Sequence, residues 1–218
     1  MCAPTPTRAS DRASEGAVVV FAHGAGNDIG VGAGTIVAIS GSRIRVITAQ
    51  HVAVYGPLSL QFDGEATTVP AHILSVIPGH DLAVIEADVD PSFAATLHAA
   101  TIGRPHRDQP VHIWGSGYGG PALEAGAVAA MGPDLPDGPA RGRFGVACNT
   151  CHEGDSGGGI FDASGNLVGV YVGYWTLDSG KLGVAEPPTD ATRVALETPY
   201  TTTVAEAAPA AGNANTAP

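Results

Sequence analysis

The feature that most constrains the fold of this chain is a succession of short apolar runs, each closed by turn residues before it reaches the length of an ordinary helix. The runs span residues 17–22, 31–39, 43–48, 58–62, 71–77, 82–87, 111–114, 125–131, 157–161 and 167–174. In Leu58-Ser59-Leu60-Gln61-Phe62 every second side chain is apolar, and Ile44, Val46 and Thr48 share one face of their run while Arg43 and Arg45 take the other. A period of two residues belongs to a strand with one buried face, because successive side chains of an extended chain point to opposite sides. Ser40-Gly41, Asp63-Gly64, Pro78-Gly79 and Ser164-Gly165-Asn166 supply turn chemistry between the runs. Regularly spaced short strands with such punctuation predict an all-β sandwich or barrel. The 30 Gly and 17 Pro among 218 residues agree with a turn-rich chain.

The ends differ from the middle. Residues 1–15 are rich in Pro, Ser and Thr, and 206–218 are mostly Ala, Pro, Asn and Thr; such stretches bury too little apolar surface to offset the entropy of ordering. A Pro/Gly-rich stretch at 102–110 divides the strand pattern near its centre. The expected organisation is a flexible segment 1–15, one β unit over 16–101, a second over 102–200, and a short helix near 201–207 opening a flexible tail to 218.

Charge excludes some functions. With 21 acidic against 10 basic side chains the formal charge is −11, which repels phosphate backbones, so no nucleic acid is expected as partner. The longest purely apolar run, 17–22, is far shorter than the ~20 residues of a membrane span, and no charged segment followed by an apolar one reads as a signal peptide. Three cysteines, Cys2, Cys148 and Cys151, make no disulfide framework, and their odd number leaves one outside any intramolecular bridge.

Chemistry concentrates in residues 148–159, Cys-Asn-Thr-Cys-His-Glu-Gly-Asp-Ser-Gly-Gly-Gly. Its left end is C-x-x-C-H, the pattern of covalent haem attachment in c-type cytochromes. Its right end places Ser156 in a glycine turn. A serine hydroxyl becomes a useful nucleophile only beside a base that is itself oriented by a third group. Two candidates lie upstream: His51 ends the apolar run Val46-Ile47-Thr48-Ala49-Gln50, and Asp81 opens Leu82-Ala83-Val84-Ile85. His80, beside Asp81, is a rival base. The remaining histidines have no metal-ligand spacing, and one C-x-x-C is only half a zinc site, so no metal is expected.

Taken in order, Thr48-Ala49-Gln50-His51, His80-Asp81-Leu82-Ala83-Val84-Ile85 and Gly154-Asp155-Ser156-Gly157-Gly158 resemble the three catalytic blocks of the chymotrypsin-like (trypsin-like) serine peptidases, in their compact bacterial form. Thirty residues separate His51 from Asp81 and 75 separate Asp81 from Ser156. Gly30-Val31-Gly32-Ala33-Gly34-Thr35-Ile36-Val37, Ile113-Trp114-Gly115-Ser116-Gly117 and Lys181-Leu182-Gly183-Val184-Ala185 resemble further strands of that family. The resemblance implies two six-stranded antiparallel β-barrels with the site in the cleft between them. It also implies a serine endopeptidase that works through an acyl-enzyme without a cofactor, with a protein or peptide substrate, a proteinaceous inhibitor as a further partner, and a secreted or periplasmic location.

Carried over residue by residue, the resemblance makes Ser156 the nucleophile, His51 the general base and Asp81 its orienting acid. The Gly154 and Ser156 N–H groups form the oxyanion hole. Asp155 is the buried carboxylate that locks the loop by ion pairing, with Arg141 or Arg143 as its cation, so that no activating cleavage is needed. Thr150 stands at the base of the primary pocket and Gly173 and Gly183 on its walls, implying an apolar residue before the scissile bond; a one-residue shift would instead put the Tyr174 ring across the pocket and restrict it to small side chains. Cys148 and Cys151 form a local bridge in the pocket wall or remain thiols. Val52 replaces a bridged Cys after the histidine, and the run 170–174 lacks the Ser that often supports the catalytic Asp. The alternatives are a catalytically silent binding module on the same fold and a haem protein built on Cys148, Cys151 and His152.

Overall fold

The computed structural model describes residues 16–62, 65–117, 122–136, 142–148, 152–178 and 180–200. Its strands close into two six-stranded antiparallel barrels. The first contains β1 (Ala17–His23), β2 (Ile29–Ser40), β3 (Arg43–Ala49), β4 (Leu58–Phe62), β5 (Thr68–Val76) and β6 (Leu82–Asp88), paired in the order β1-β2-β3-β6-β5-β4. The second contains β7 (Pro110–Gly115), β8 (Ala122–Met131), β9 (Phe144–Cys148), β10 (Gly159–Asp162), β11 (Leu167–Leu177) and β12 (Gly180–Glu186), in the order β10-β11-β12-β9-β8-β7. Among the described residues, short α-helices follow β3, β6 and β12, namely α1 (Gln50–Ala53), α2 (Pro91–Ala94) and α3 (Thr189–Glu197). No helix among the described residues is long and apolar enough to cross a membrane.

Alternation decides which residues fill which core. On β1, Val18 and Val20 point into the first barrel with Ile36, Ile44, Val46, Leu60 and Ile85. Their neighbours Ala17 and Val19 face outward, yet they too are buried, in a layer between the barrels with Ile47, Leu82, Trp114, Phe161 and Leu167. That second burial is why 17–22 reads as an unbroken apolar run rather than an alternating one. The second barrel is filled by Val111, Ile113, Val128, Phe144, Val146, Ile160, Val168 and Tyr171. At roughly 1.5–3 kcal/mol for each fully buried large aliphatic side chain, the interbarrel layer is ample to hold the halves, and hence the cleft walls, in fixed relation.

Three elements depart from the sequence reading. β9 was not anticipated: in Phe-Gly-Val-Ala-Cys the core-facing Phe144 and Val146 are separated by Gly and Ala rather than by polar residues, and Pro/Gly-rich sequence precedes it. The helix expected near 201–207 lies outside the described residues, and a short helix that the sequence did not mark lies at Thr189–Glu197. Its buried face is only Ala191, Thr192 and Ala195, too weak an apolar stripe to mark a helix, but small enough to sit close against β2, β3 and β6 of the first barrel. Finally, Arg45 is fully buried, not solvent-facing, because α3 covers that face of β3.

Candidate active site

β3 runs into α1, and the strand-to-helix junction sets His51 at the cleft. The junction is held by the residue that opens β6: the Gln50 N–H donates to the Asp81 carbonyl at 3.1 Å, and the His51 N–H donates to Asp81 Oδ1 at 3.0 Å. The other carboxylate oxygen, Oδ2, lies 2.7 Å from His51 Nδ1. One aspartate therefore fixes both the backbone and the ring of His51, and it selects the tautomer in which Nδ1 carries the proton and Nε2 is free to accept one.

Ser156 comes from the other barrel, on the turn that precedes β10. Its carbonyl accepts from the Ala33 N–H of β2 at 2.8 Å, so the turn is tied across the interface. The Gly157 N–H donates to the Tyr171 carbonyl at 2.7 Å, and Tyr171 returns its own N–H to Gly158 at 2.8 Å. Gly157 has φ of +88°, and a β-carbon there would run into the Ala33 carbonyl and Thr48 Oγ1, so only glycine lets the turn lie this close to the first barrel. His51 and Ser156 line one open cavity of ≈ 260 Å³ together with Val31, Val52, Tyr55 and Gly154. Among the described residues no hydrogen bond joins Ser156 Oγ to His51; such bonds are often long before substrate binds.

The Gly154 and Ser156 N–H groups have no acceptor among the described residues, whereas the Gly154 carbonyl is turned toward Ser116 Oγ, at 2.7 Å. Ser116 Oγ also stands 2.9 Å from the Gly32 carbonyl, linking the turn to β2 a second time. Asp155 is buried, and its carboxylate accepts from the Gly117 N–H at 3.0 Å and the His152 N–H at 2.7 Å. The expected ion pair of Asp155 with Arg143 is not formed. Arg143 instead donates from Nε and Nη2 to Glu186 at 2.8 and 2.6 Å, because β9 directs it toward the end of β12. Arg141 lies outside the described residues.

Of the expected pocket residues, Gly173 and Tyr174 lie on β11 and Gly183 on β12. Thr150 and Cys151 lie outside the described residues. After a bulge at Val172, Gly173 pairs with Val184 and Tyr174 with Gly183. The Tyr174 ring is partly exposed and lies under Lys181 Nζ, 4.0 Å from its centroid. The space beside Gly183 is taken by Tyr171, whose Cε2 would be 3.0 Å from a β-carbon at that glycine. Burial, with the nearby Asp155 carboxylate adding to it, pushes the Tyr171 phenol well above its usual range, so it stays neutral. Cys148 is disulfide-bonded, which removes the thiol that a thioether to haem would need and overturns the haem reading. His80 points away from the cavity, with Nδ1 2.7 Å from Glu186 Oε2.

The turn from Gly154 to Gly158 and the His51–Asp81 pair thus meet at the seam of two six-stranded barrels. A family model described as "Trypsin-like peptidase domain" matches residues 32–170, more than half of the chain. The chain belongs to the trypsin-like peptidase domain family. Among curated relatives of this trypsin-like chain, a probable periplasmic serine endoprotease DegP-like of Rhizobium meliloti (strain 1021) is 26% identical over 147 residues, covering 64% of this chain and 28% of its own. A protein of the same description from Brucella suis biovar 1 (strain 1330) is 25% identical over 141 residues, covering 64% and 27%. This chain spans about a quarter of the length of those relatives. In fold it is similar to an HtrA-type protease AlgW solved with a tripeptide (TM-score 0.72, 23% identity, 88% of this chain and 63% of that one). It is also similar to a serine endoprotease from Yersinia pestis (TM-score 0.69, 22% identity, 88% and 66%).

Glu186, Ser116 and Tyr171 were not singled out as functional by sequence reasoning. Glu186 follows an apolar strand and carries no motif; only the absence of a serine in 170–174 hinted that Asp81 is supported by something else.

Proposed function

We propose that this chain is a serine endopeptidase that hydrolyses protein or peptide substrates through an acyl-enzyme, with Ser156, His51 and Asp81 as its triad. The observation that carries the reading is that Nδ1 of His51 is engaged by Asp81 at 2.7 Å while the same ring and Ser156 border one cavity. In this mechanism His51 Nε2 takes the Ser156 proton as Oγ attacks the carbonyl carbon, and Asp81 stabilises the imidazolium that results. The tetrahedral oxyanion accepts from the Gly154 and Ser156 N–H groups, which have no acceptor among the described residues; a donor of this kind contributes roughly 3 kcal/mol to the transition state. His51 then gives its proton to the departing amine, and water repeats the sequence to release the acyl group.

Asp155 locks the nucleophile turn through two backbone N–H groups, which supports a site that forms without an activating cleavage. Tyr171 beside Gly183 supports a preference for a small apolar residue before the scissile bond. The DegP-like descriptions of the relatives support a periplasmic or secreted location. The test is labelling by a biotinylated organophosphonate. Ser156 should be modified in the unaltered protein, and Ser156→Ala and His51→Ala should abolish it. A folded protein that takes no label would leave the chain a binding module on a peptidase fold.

A further inference from the structure

The carboxylate of Glu186 is completely buried at the end of β12 and is the meeting point of four donors from three residues, His80 and Asp81 just before β6 and Arg143 just before β9. Arg143 donates to its Oε1 from Nε at 2.8 Å and Nη2 at 2.6 Å, and the Asp81 backbone N–H donates to the same oxygen at 3.1 Å. His80 Nδ1 stands 2.7 Å from Oε2. Beyond it, Asp190 of α3 lies 3.8 Å from His80 Nε2, and Arg193 lies 3.9 Å from Asp190. A buried carboxylate is tolerated only when its lone pairs are satisfied and its charge is opposed, and here both conditions are met.

The placement gives this cluster a meaning beyond its own stability. Asp81 and His51 ride on the first barrel and Ser156 on the second, so reactivity depends on holding two rigid bodies in register. Glu186 belongs to the second barrel and grips the first at the backbone N–H of Asp81, the same residue whose carboxylate orients His51. We propose that Glu186, braced by Arg143 and His80, is a positioning residue for Asp81 that sets the acid–base pair against the nucleophile and fills the supporting role for which 170–174 has no serine. This inference rests on the triad reading above.

Glu186→Gln keeps the shape but raises the local charge by one unit among His51, Asp81, His80, Arg143 and Asp190. It should slow organophosphonate inactivation about 10- to 100-fold, the scale of a small misplacement at a reacting centre, and lower kcat with little change in KM. The added positive charge disfavours the His51 imidazolium, so the acid limb of kcat/KM should move to lower pH. The double variant Glu186→Gln/Arg143→Met, which removes the extra charge, should return the limb toward its original position. The downfield proton resonance of His51 Nδ1 should shift or broaden in Glu186→Gln, a readout independent of turnover.

Folded Glu186→Gln protein that is inactivated within twofold of the unaltered rate, with an unmoved acid limb and Nδ1 resonance, overturns the inference. If Glu186→Gln does not fold, the partly exposed His80 decides. Inactivation slowed threefold or more in His80→Ala and recovered in His80→Gln supports the brace, and the unaltered rate in His80→Ala overturns it. Absence of Ser156 labelling in the unaltered, folded protein overturns the peptidase reading and the brace with it. Labelling that is present but indifferent to these variants overturns the brace alone.

Discussion

Arg45→Met should destabilise the fold by about 3–5 kcal/mol while leaving the site intact. The side chain is fully buried. Nε donates to Glu86 Oε2 at 2.7 Å, Nη1 to the carbonyls of Ala195 at 2.5 Å and Thr198 at 2.6 Å, and Nη2 to Pro199 at 3.3 Å, while the guanidinium lies 3.6 Å over the Tyr200 ring. A single cation therefore serves a buried carboxylate on β6 and the unsatisfied carbonyls at the end of α3, where the helix dipole favours positive charge. Methionine replaces the volume but leaves Glu86 with only weaker neighbours, Arg43 at 3.8 Å and His72 at 3.9 Å. Breaking a buried pair from one side costs about 3–5 kcal/mol, which in a domain of this size lowers Tm by roughly 6–20 °C. Urea unfolding measures the loss. Hydrogen exchange should rise over 189–198 before the first barrel opens, and phosphonate inactivation of the folded fraction should stay within about twofold. Arg45→Met/Glu86→Leu should regain at least half of the lost stability, because the uncompensated charge is then gone. A single variant within about 1 kcal/mol of the unaltered protein, or a double variant no better than the single, would refute the claim that this charge holds α3.

Asp81→Asn should lower kcat about 10⁴-fold, the scale set by removing the orienting acid of such a triad; an amide nitrogen at Oδ2 offers His51 Nδ1 a donor and selects the wrong tautomer, and single-turnover kinetics would show an intact activity if the pair were only structural. Tyr171→Phe should be neutral or stabilise by up to ~1–3 kcal/mol, since the buried hydroxyl has no hydrogen-bond partner among the described residues. Because the folded state retains the phenol proton, stability should fall as pH rises above about 10, the unfolded value, and the substitution should flatten that decline; an unchanged slope in urea titrations would contradict it. Gly157→Ala should cost at least about 2 kcal/mol through its positive φ and the collision with β2 and β3, with thermal melting as the check; a melting temperature within 2 °C of the original would rule out the close approach as the reason for glycine.

The strands were legible because most are buried on one face, so alternation survived in Leu58–Phe62 and in 43–48. Elements whose burial is contributed by small side chains were not. Thr189–Glu197 presents only Ala and Thr to its neighbours, and such residues carry little hydrophobic signal however completely they are enclosed; Phe144–Cys148 buries Phe144 and Val146, but its intervening Gly145 and Ala147 supply no polar contrast. Arg45 reads as a surface cation in any window of its own strand; only a helix some 150 residues later makes it interior.

The candidate site divides along the same line. His51, Asp81 and Ser156 stand out in sequence because each sits in a short local block whose turn chemistry is written in adjacent residues. By itself the sequence determined the all-β architecture, the acidic character of the chain and the residue types available for acyl transfer. Tertiary structure alone decided the partners at a distance: Arg143 chose Glu186 rather than Asp155, Tyr171 filled the space beside Gly183, and Glu186 of one barrel reached Asp81 of the other. The physical reason is that backbone conformation follows from neighbours along the chain, whereas the pairing of a buried charge is settled by which elements happen to close around it.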